Sequence, residues 1–491
     1  MKLKRRVFIK ESMLASAGVA LGAPAYIRNY VQQKPSDLIN VAVCGINGRG
    51  KSHSANFTKI KDTRVVALCD PVDYLFPGAI KAIEDLGGPK PLKMVADYRK
   101  LLDDKNIDVV AIATPDYWHA LMTIHACQAG KDVYVEKPGS HTIDESRKMV
   151  QAARKYNRLV QLGTQHRSNR VSRKAIELIQ QGLIGDVYMG RGYEFKRRYT
   201  IGREPDGPVP DGVNWDLFRG PAPMIPFNKN HFLYNWHWYW DTSTSELSAN
   251  GIHPMDRVRQ GMNIDEHPMR ISCSGGFYGW DSDQEVPNFQ IAVYEYASGK
   301  IMELEIRSLP NPGGSGDIEW YGVKGWAYLR GSTFQAWVTD DDTGHRLPSA
   351  NTSPAPASQG ETSARSTQGQ LSAGVIRGGF SRDLPQPTVT ITSADLPFDA
   401  RADELSKAGI DPHFMNFIDC VKSRKREDLN SDVETGHIST VQALLGCIAY
   451  RTGRKLMFDG KTERFVDDDE ANSYLARPRG GRKPYNIPDM V

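Results

Sequence analysis

Five short apolar runs separated by helix-length intervals constrain this chain more than any other feature. LINVAVC (38–44), RVVALCD (64–70), IDVVAIATP (107–115), DVYVEKP (132–138) and RLVQLGTQ (158–165) lack the polar alternation of a half-exposed strand. Runs of this kind suit parallel strands covered on both faces. Helix-like intervals lie among them at 50–61, 97–103, 117–129 and 144–156. The alternation predicts a doubly wound α/β domain with a parallel sheet over residues 36–165.

Beyond residue 165 the rhythm changes. DVYMGRGYEF, MRISCSGGFYGW, NFQIAVYEYASGKIMELEIRSL and IEWYGVKGWAYLRG follow one another with turn signals such as ASGK between them. They predict an α+β domain with a mostly antiparallel, open sheet over residues 166–465. Two amphipathic helices are expected near 412–424 and 437–453, the latter placing Ile438, Val441, Leu444, Leu445 and Ile448 on one face. A chain of 491 residues is too long for one core, which agrees with two domains. Residues 347–374 are poor in large apolar side chains and read as a surface insertion, and 466–491 as a tail.

The amino terminus carries a separate message. KRRVFIKESMLASAGVALGAPA (4–25) pairs two arginines with an uncharged, small-residue stretch ending in Ala-Pro-Ala. That pattern predicts a twin-arginine signal, hence delivery of an already folded chain to the periplasm by the twin-arginine export machinery. The uncharged run is too short and too rich in small residues to span a bilayer, and no later stretch is long enough, so no stable membrane insertion is expected. A formal charge of +4 with 24% charged residues gives no basic footprint for nucleic acid. Six cysteines, at 44, 69, 127, 273, 420 and 447, show neither a CxxC pair nor zinc spacing, so neither disulfides nor a metal are expected.

Directly after the first run comes GINGRG (45–50), opening the first helix. Glycines in such a turn let the backbone bend sharply and approach a pyrophosphate, which rests on amides at the helix N-terminus. Gly45, Asn47, Gly48, Arg49 and Gly50 are therefore assigned to a dinucleotide. Asn47 stands at the middle glycine position and tolerates a positive φ better than most residues. Asp70 ends the second run twenty residues beyond Gly50, where a carboxylate accepts hydrogen bonds from ribose hydroxyls and repels a 2′-phosphate. This favours NAD over NADP. The competing reading is an ordinary turn followed by a capping aspartate.

IATPDYWH (112–119) followed by YVEKPGS (134–140) resembles the glucose-fructose oxidoreductase and inositol dehydrogenase family, also called Gfo/Idh/MocA. The likeness runs from residue 39 to about residue 460, through GTQHRS (163–168), NWDLFRGPAP (214–223), NWHWYWD (235–241) and GIHPMD (251–256). It implies a Rossmann domain followed by a domain for substrate binding and for homodimer or homotetramer assembly through its sheet. By the same resemblance Thr114, Pro115, His119, Glu136 and Gln165 lie on the cofactor, Arg167 on the substrate, and Lys137 and His253 form the catalytic pair. His119 could equally begin a helix without touching the ribose.

Residue chemistry supports the pair. Oxidising a secondary alcohol requires a hydride acceptor and a group that removes the hydroxyl proton. Lys137, at the carboxyl end of a parallel strand, is placed to stabilise charge on that oxygen, and His253 titrates in the right range. Many family members carry an aspartate four residues before the histidine, and here that position is Ala249. Glu246 and Asp256 remain as orienting groups, each equally suited to a surface ion pair.

HFLYNWHWYWD (231–241) packs six aromatic rings and two histidines into eleven residues. Aromatic faces suit the CH surfaces of a pyranose, with Trp236 and His237 as the expected substrate contacts; a buried core or an oligomer interface would use the same residues. The expectation is a periplasmic NAD-dependent oxidoreductase acting on a secondary hydroxyl, carbon 3, of a sugar or glycoside. Because the periplasm offers no free NAD, the cofactor should travel inside the folded protein and be regenerated in place. An NAD-dependent glycosidase working by transient oxidation, elimination and re-reduction is the alternative, and a catalytically silent sugar-binding protein a further one. By the resemblance, N-acetylgalactosaminidases of this kind tend to lack the EKP lysine, so Lys137 favours the oxidoreductase.

Overall fold

In the first sheet, alternate residues of each central strand enter opposite apolar clusters. Val41 and Val43 of β1 face one cluster while Ala42 and Cys44 face the other, and all four are fully buried. The computed structural model describes residues 38–310, 315–339, 386–488 and 491, so the expected signal, residues 36 and 37 and the expected insertion 347–374 lie outside the described residues. Six strands, β1 (Ile39–Cys44), β2 (Thr63–Cys69), β3 (Lys93–Val95), β4 (Val109–Ile112), β5 (Asp132–Val135) and β6 (Val160–Leu162), run parallel in the order β3-β2-β1-β4-β5-β6. The five apolar runs are β1, β2, β4, β5 and β6. β3 escapes that pattern because it is a short edge strand with no fully buried residue.

Helices cover both faces. Gly48–Lys59 and Phe76–Glu84 send Phe57, Ala79 and Ile83 into one cluster; His119–Gln128 and Ile143–Lys155 send Leu121, Ile124, Met149 and Val150 into the other. The helix Pro412–Ser423, expected as part of the second domain, packs instead on the first: Phe414 stacks on Tyr134 at 4.3 Å, and His413 Nε2 lies 2.9 Å from the Leu162 carbonyl of β6. The residues called a tail also return to it, with Tyr485 edge-on to Trp118 at 5.3 Å and Arg477 Nε donating to Glu145 at 2.5 Å. Their buried aromatic and arginine, rather than any regular pattern, hold them there.

The second sheet has ten strands: β7 (Val187–Phe195), β8 (Arg270–Gly276), β9 (Phe289–Glu295), β10 (Ile301–Arg307), β11 (Ser315–Gly322), β12 (Gly325–Arg330), β13 (Thr333–Val338), β14 (Val389–Ile391), β15 (Leu456–Asp459) and β16 (Arg464–Phe465). Their order is β14-β13-β12-β11-β7-β10-β9-β8-β15-β16. Every pair is antiparallel except β7 with β10, which makes the sheet mixed. Helices Ile252–Gly261 and Val433–Thr452 cover one face through Met255, Val258, Leu444 and Leu445. Val433–Thr452 is not the amphipathic helix expected: it is buried almost all round, against the second sheet and the helix Ile143–Lys155, while Ile438 is only half-buried. Its mostly apolar composition meets protein on every side.

Candidate active site

A cleft of about 350 Å³ opens across the carboxyl ends of β1, β2, β4 and β5, where the strand order of an open parallel sheet reverses. The turn after β1 forms its floor. Gly45 has φ +77°, and a Cβ there would lie 2.6 Å from the Ala113 carbonyl oxygen. A Cβ on Gly50 would come within 1.7 Å of the Gly45 oxygen, so this glycine lets the helix sit against its own turn. The left-handed residue at the crest is Gly48, φ +41°, and not Asn47, which is extended at φ −89°. Asn47 makes no side-chain cap and no acidic residue occupies the first turn, which leaves the helix N-terminus free to receive a phosphate. Nothing lies within 4 Å of where a Gly48 Cβ would project, so the crest has room for a ligand.

Asp70 stands at the far end of this floor beside the uncharged Pro71, Val72 and Leu75. It is 7% exposed; its Oδ2 accepts the Ile46 amide at 3.0 Å and its Oδ1 the Val72 amide at 3.1 Å. Burial raises its pKa to about 6, against the pull of those two amides. The carboxylate braces the turn through these two amides and has further lone pairs beyond them. A glycine cradle, an uncapped helix end and a carboxylate with no adjacent cation fit NAD.

At the other end of the cleft Glu136 is 4% exposed and accepts hydrogen bonds from Arg49 Nε at 2.7 Å, His53 Nε2 at 3.0 Å and Gln165 Nε2 at 2.9 Å. Burial opposes its charge, but Arg49, His53 and Lys137 hold it well below the usual carboxylate range. Lys137 lines the cleft and donates from Nζ to the Ala249 carbonyl at 2.6 Å and more weakly to Asn250 Oδ1 at 3.4 Å. Behind Asn250, its Nδ2 donates to the buried Glu246, which is ion-paired with Arg198 at 2.5 Å. Burial pulls the Lys137 pKa down, while Glu136 and Glu246 work against that fall. Glu246 therefore serves the lysine through Asn250, and the position where an aspartate was missed, Ala249, contributes its main-chain carbonyl.

Thr114, Pro115 and His119 also line the cleft. His119 is 1% exposed, with Nδ1 2.7 Å from the Pro138 carbonyl and Nε2 2.9 Å from the Thr114 carbonyl, and its neutral ring donates to one of these two oxygens. Both nitrogens already face main-chain oxygens and neither is free for a ribose. Besides Gly50, which lies beneath the turn, three residues expected at the site stand off its wall. Gln165 backs Glu136 and Tyr134. Arg167 is corrected from substrate contact to structural ion pair, because its guanidinium forks onto Asp256 at 2.6 and 2.8 Å, nearly out of solvent. Asp256, so occupied, orients no histidine. His253 lies edge-on to His166 at 5.3 Å, and its buried Nδ1 has no hydrogen-bond partner among the described residues. Burial, then Lys137 and His166, push its pKa well below the ordinary value.

The aromatic segment divides between core and cleft. Phe232, Trp238 and Tyr239 are buried, whereas Leu233, Tyr234, Trp236 and His237 form a wall of the cleft. His237 is stacked on Trp236 at 3.7 Å and on Tyr234 at 4.4 Å, and its Nδ1 lies 2.6 Å from the Tyr234 carbonyl. Lys196, Tyr234 and Asn250 are wall residues that sequence reasoning did not single out. Asn250 lay within reach, three residues before His253, whereas Lys196 is one residue past β7 in a position that no motif marks.

Among the described residues, one group has metal-ligand spacing: His267, His437 and Glu463, with ligand atoms within 4.8 Å of one another. Glu463 Oε1 accepts from His437 Nε2 at 2.6 Å and His267 Nε2 at 3.0 Å, while Arg147 forks over both oxygens at 2.5 and 3.0 Å. The arginine already neutralises the carboxylate, so we read the group as a hydrogen-bonding network rather than a metal centre.

A doubly wound sheet with a dinucleotide cradle, joined to an α/β domain that walls the cleft with aromatics and a lysine, defines a nicotinamide-dependent, two-domain class of protein. Residues 39–164 match the NAD-binding Rossmann domain of the Gfo/Idh/MocA oxidoreductase family, and residues 170–306 and 394–487 its C-terminal alpha/beta domain. The chain belongs to that family. It is 28% identical over 207 residues to a glycosyl hydrolase family 109 protein of Shewanella pealeana, which covers 39% of this chain and 45% of the relative. It is 25% identical over 283 residues to an alpha-N-acetylgalactosaminidase of Shewanella oneidensis, covering 53% of this chain and 56% of that one. The chain thus spans about half the length of these curated relatives. The aldose-aldose oxidoreductase of Caulobacter crescentus, complexed with glycerol, shares the fold with a TM-score of 0.57 at 17% identity, over 86% of this chain and all of that one.

Proposed function

We propose that the protein oxidises a secondary hydroxyl, at carbon 3, of a sugar or glycoside and does so with NAD held throughout the cycle. The observation that carries the reading is Lys137 in the same cleft as the glycine cradle, with its ammonium fixed by Ala249 and Asn250. Two of its N–H groups are spent on those oxygens, and the third is left to donate to a substrate oxygen and stabilise charge growing there. Gly45 to Gly50 and Asp70 would hold the cofactor, whose nicotinamide supplies a hydride acceptor when bound. Trp236 and Tyr234 offer faces for a pyranose ring.

The twin-arginine-like sequence at residues 4–25 supports a periplasmic destination, and with it a cofactor that is carried rather than exchanged. The outer face of the second sheet, where Trp326 stacks on Trp337 at 4.0 Å and Arg191 pairs with Glu303 at 2.9 Å, supports a homodimer or homotetramer joined through that sheet.

The similarity to family 109 proteins favours a second reading in which oxidation is transient: the neighbouring C–H becomes acidic, the glycosidic group is eliminated, and the ketone is reduced again. One assay separates the two. The purified protein is incubated with aryl glycosides, with and without a carbonyl acceptor, while nicotinamide absorbance and released sugar are followed. Oxidised glycoside with its aglycone still attached supports the first reading; free sugar without net oxidation supports the second. Neither product from any glycoside, by protein that contains NAD, contradicts both.

A further inference from the structure

We infer that His237 is the proton acceptor of this reaction, its Nε2 taking the hydroxyl proton of the bound sugar. The inference rests on the oxidation proposed above. A carbonyl oxygen only accepts, so the 2.6 Å contact to Tyr234 places a proton on Nδ1 of the neutral ring and leaves the lone pair on Nε2. Among the described residues that nitrogen has no hydrogen-bond partner, and the ring lines the cleft with Lys137 and Asn250.

Stacking on Trp236 and Tyr234 fixes the ring plane and offers π faces to the imidazolium that forms. Glu246, Lys137 and Arg198 are the charged groups that bear on it. Glu246 favours the protonated ring, the two cations oppose it, and burial, the largest influence, brings its pKa to about 4, so the ring is neutral and able to accept at pH 7.

The alternatives are less suited. Lys137 already donates two N–H groups and is needed as a donor to the substrate oxygen. His253 is off the cleft wall, with an unpartnered Nδ1, and the charges around it are Lys137, His166 and Arg257 against Glu136 alone. In the step itself the O–H bond breaks and its proton goes to His237 Nε2. With NAD held by Gly45 to Gly50 and Asp70, the C–H electron pair would leave as hydride to the acceptor that the cofactor supplies, and the C–O bond would become a carbonyl beside Lys137. Returning the hydride reverses each transfer, with the same imidazolium as proton donor.

The test uses the full-length, nucleotide-loaded protein and the glycoside that the wild type oxidises. His237→Gln should lower kcat by about 100-fold or more. Its KM should stay within about threefold of wild type. Added imidazole should restore part of the rate, and nucleotide content should stay at the wild-type level. A readout independent of turnover is NMR of nitrogen-labelled histidine in the wild type, which should report the Nδ1–H tautomer for His237 and a shift of Nε2 when the glycoside binds. An Nε2–H tautomer, a ring insensitive to sugar, or oxidation by His237→Gln within about threefold of wild type would each overturn the inference and leave the oxidation standing. A loaded wild type that oxidises no glycoside would overturn the proposed function and this inference together.

Discussion

Two side chains bracket the cleft and make different demands on pH. Asp70 titrates near 6 because burial disfavours its charge, and a ribose hydroxyl donating to it stabilises the ionised form. Cofactor affinity should therefore be full above that value and weaken by up to about tenfold per pH unit below it. Asp70→Asn should bind NAD more weakly at neutral pH and lose this dependence; calorimetric titration of nucleotide-free protein from pH 5 to 8 reads both. Lys137 acts on the reacting oxygen instead, so Lys137→Ala should retain its nucleotide while kcat falls by roughly 100- to 1000-fold. Both residues were legible in the sequence because each ends a parallel strand, the one place in this architecture where chain order fixes position. The surroundings of His237 were not: its tautomer is set by a main-chain carbonyl, and Glu246 is linked by hydrogen bonds to Lys137 through a side-chain amide.

Elements explain where sequence reasoning succeeded and where it stopped. Glycines 45, 48 and 50 could be placed on a turn, but which residues carry a positive φ could not, and the structure gives it to Gly45 and Gly48 while Asn47 stays extended. Two substitutions should separate their duties. Gly50→Ala drives a Cβ into the Gly45 oxygen, so cofactor retention should be abolished; Gly48→Ala meets no atom and should cost about 1–2 kcal/mol for the left-handed backbone. Thermal melts and nucleotide content of the two purified variants check this. Helix Pro412–Ser423 was recognised as a helix, but its packing on Tyr134 and Phe57 of the first domain could not be read, because those partners lie far earlier in the chain. The same long range hid the network in which Glu463, between β15 and β16, joins Arg147, His267 and His437. Although burial opposes its charge, those partners hold Glu463 well below its ordinary pKa, so its stabilisation is fully present above the unfolded value and lost as pH falls through the folded one. Glu463→Gln should lose about 1.5–3 kcal/mol at neutral pH, and the gap to wild type should narrow in acid; denaturant melts at both pH values measure it.

At the scale of the molecule, the two domains are interlocked. The second supplies Lys196, Tyr234, Trp236, His237, Ala249 and Asn250 to a cleft floored by the first, and late segments carrying Phe414 and Tyr485 pack back onto the first domain. The account is tested most directly by denaturing the purified, full-length protein and identifying any nucleotide released, by mass and absorbance. It predicts NAD or NADH in near-stoichiometric amount. Correctly folded protein that releases none, and that exchanges added NAD rapidly during turnover, would contradict the carried-cofactor cycle.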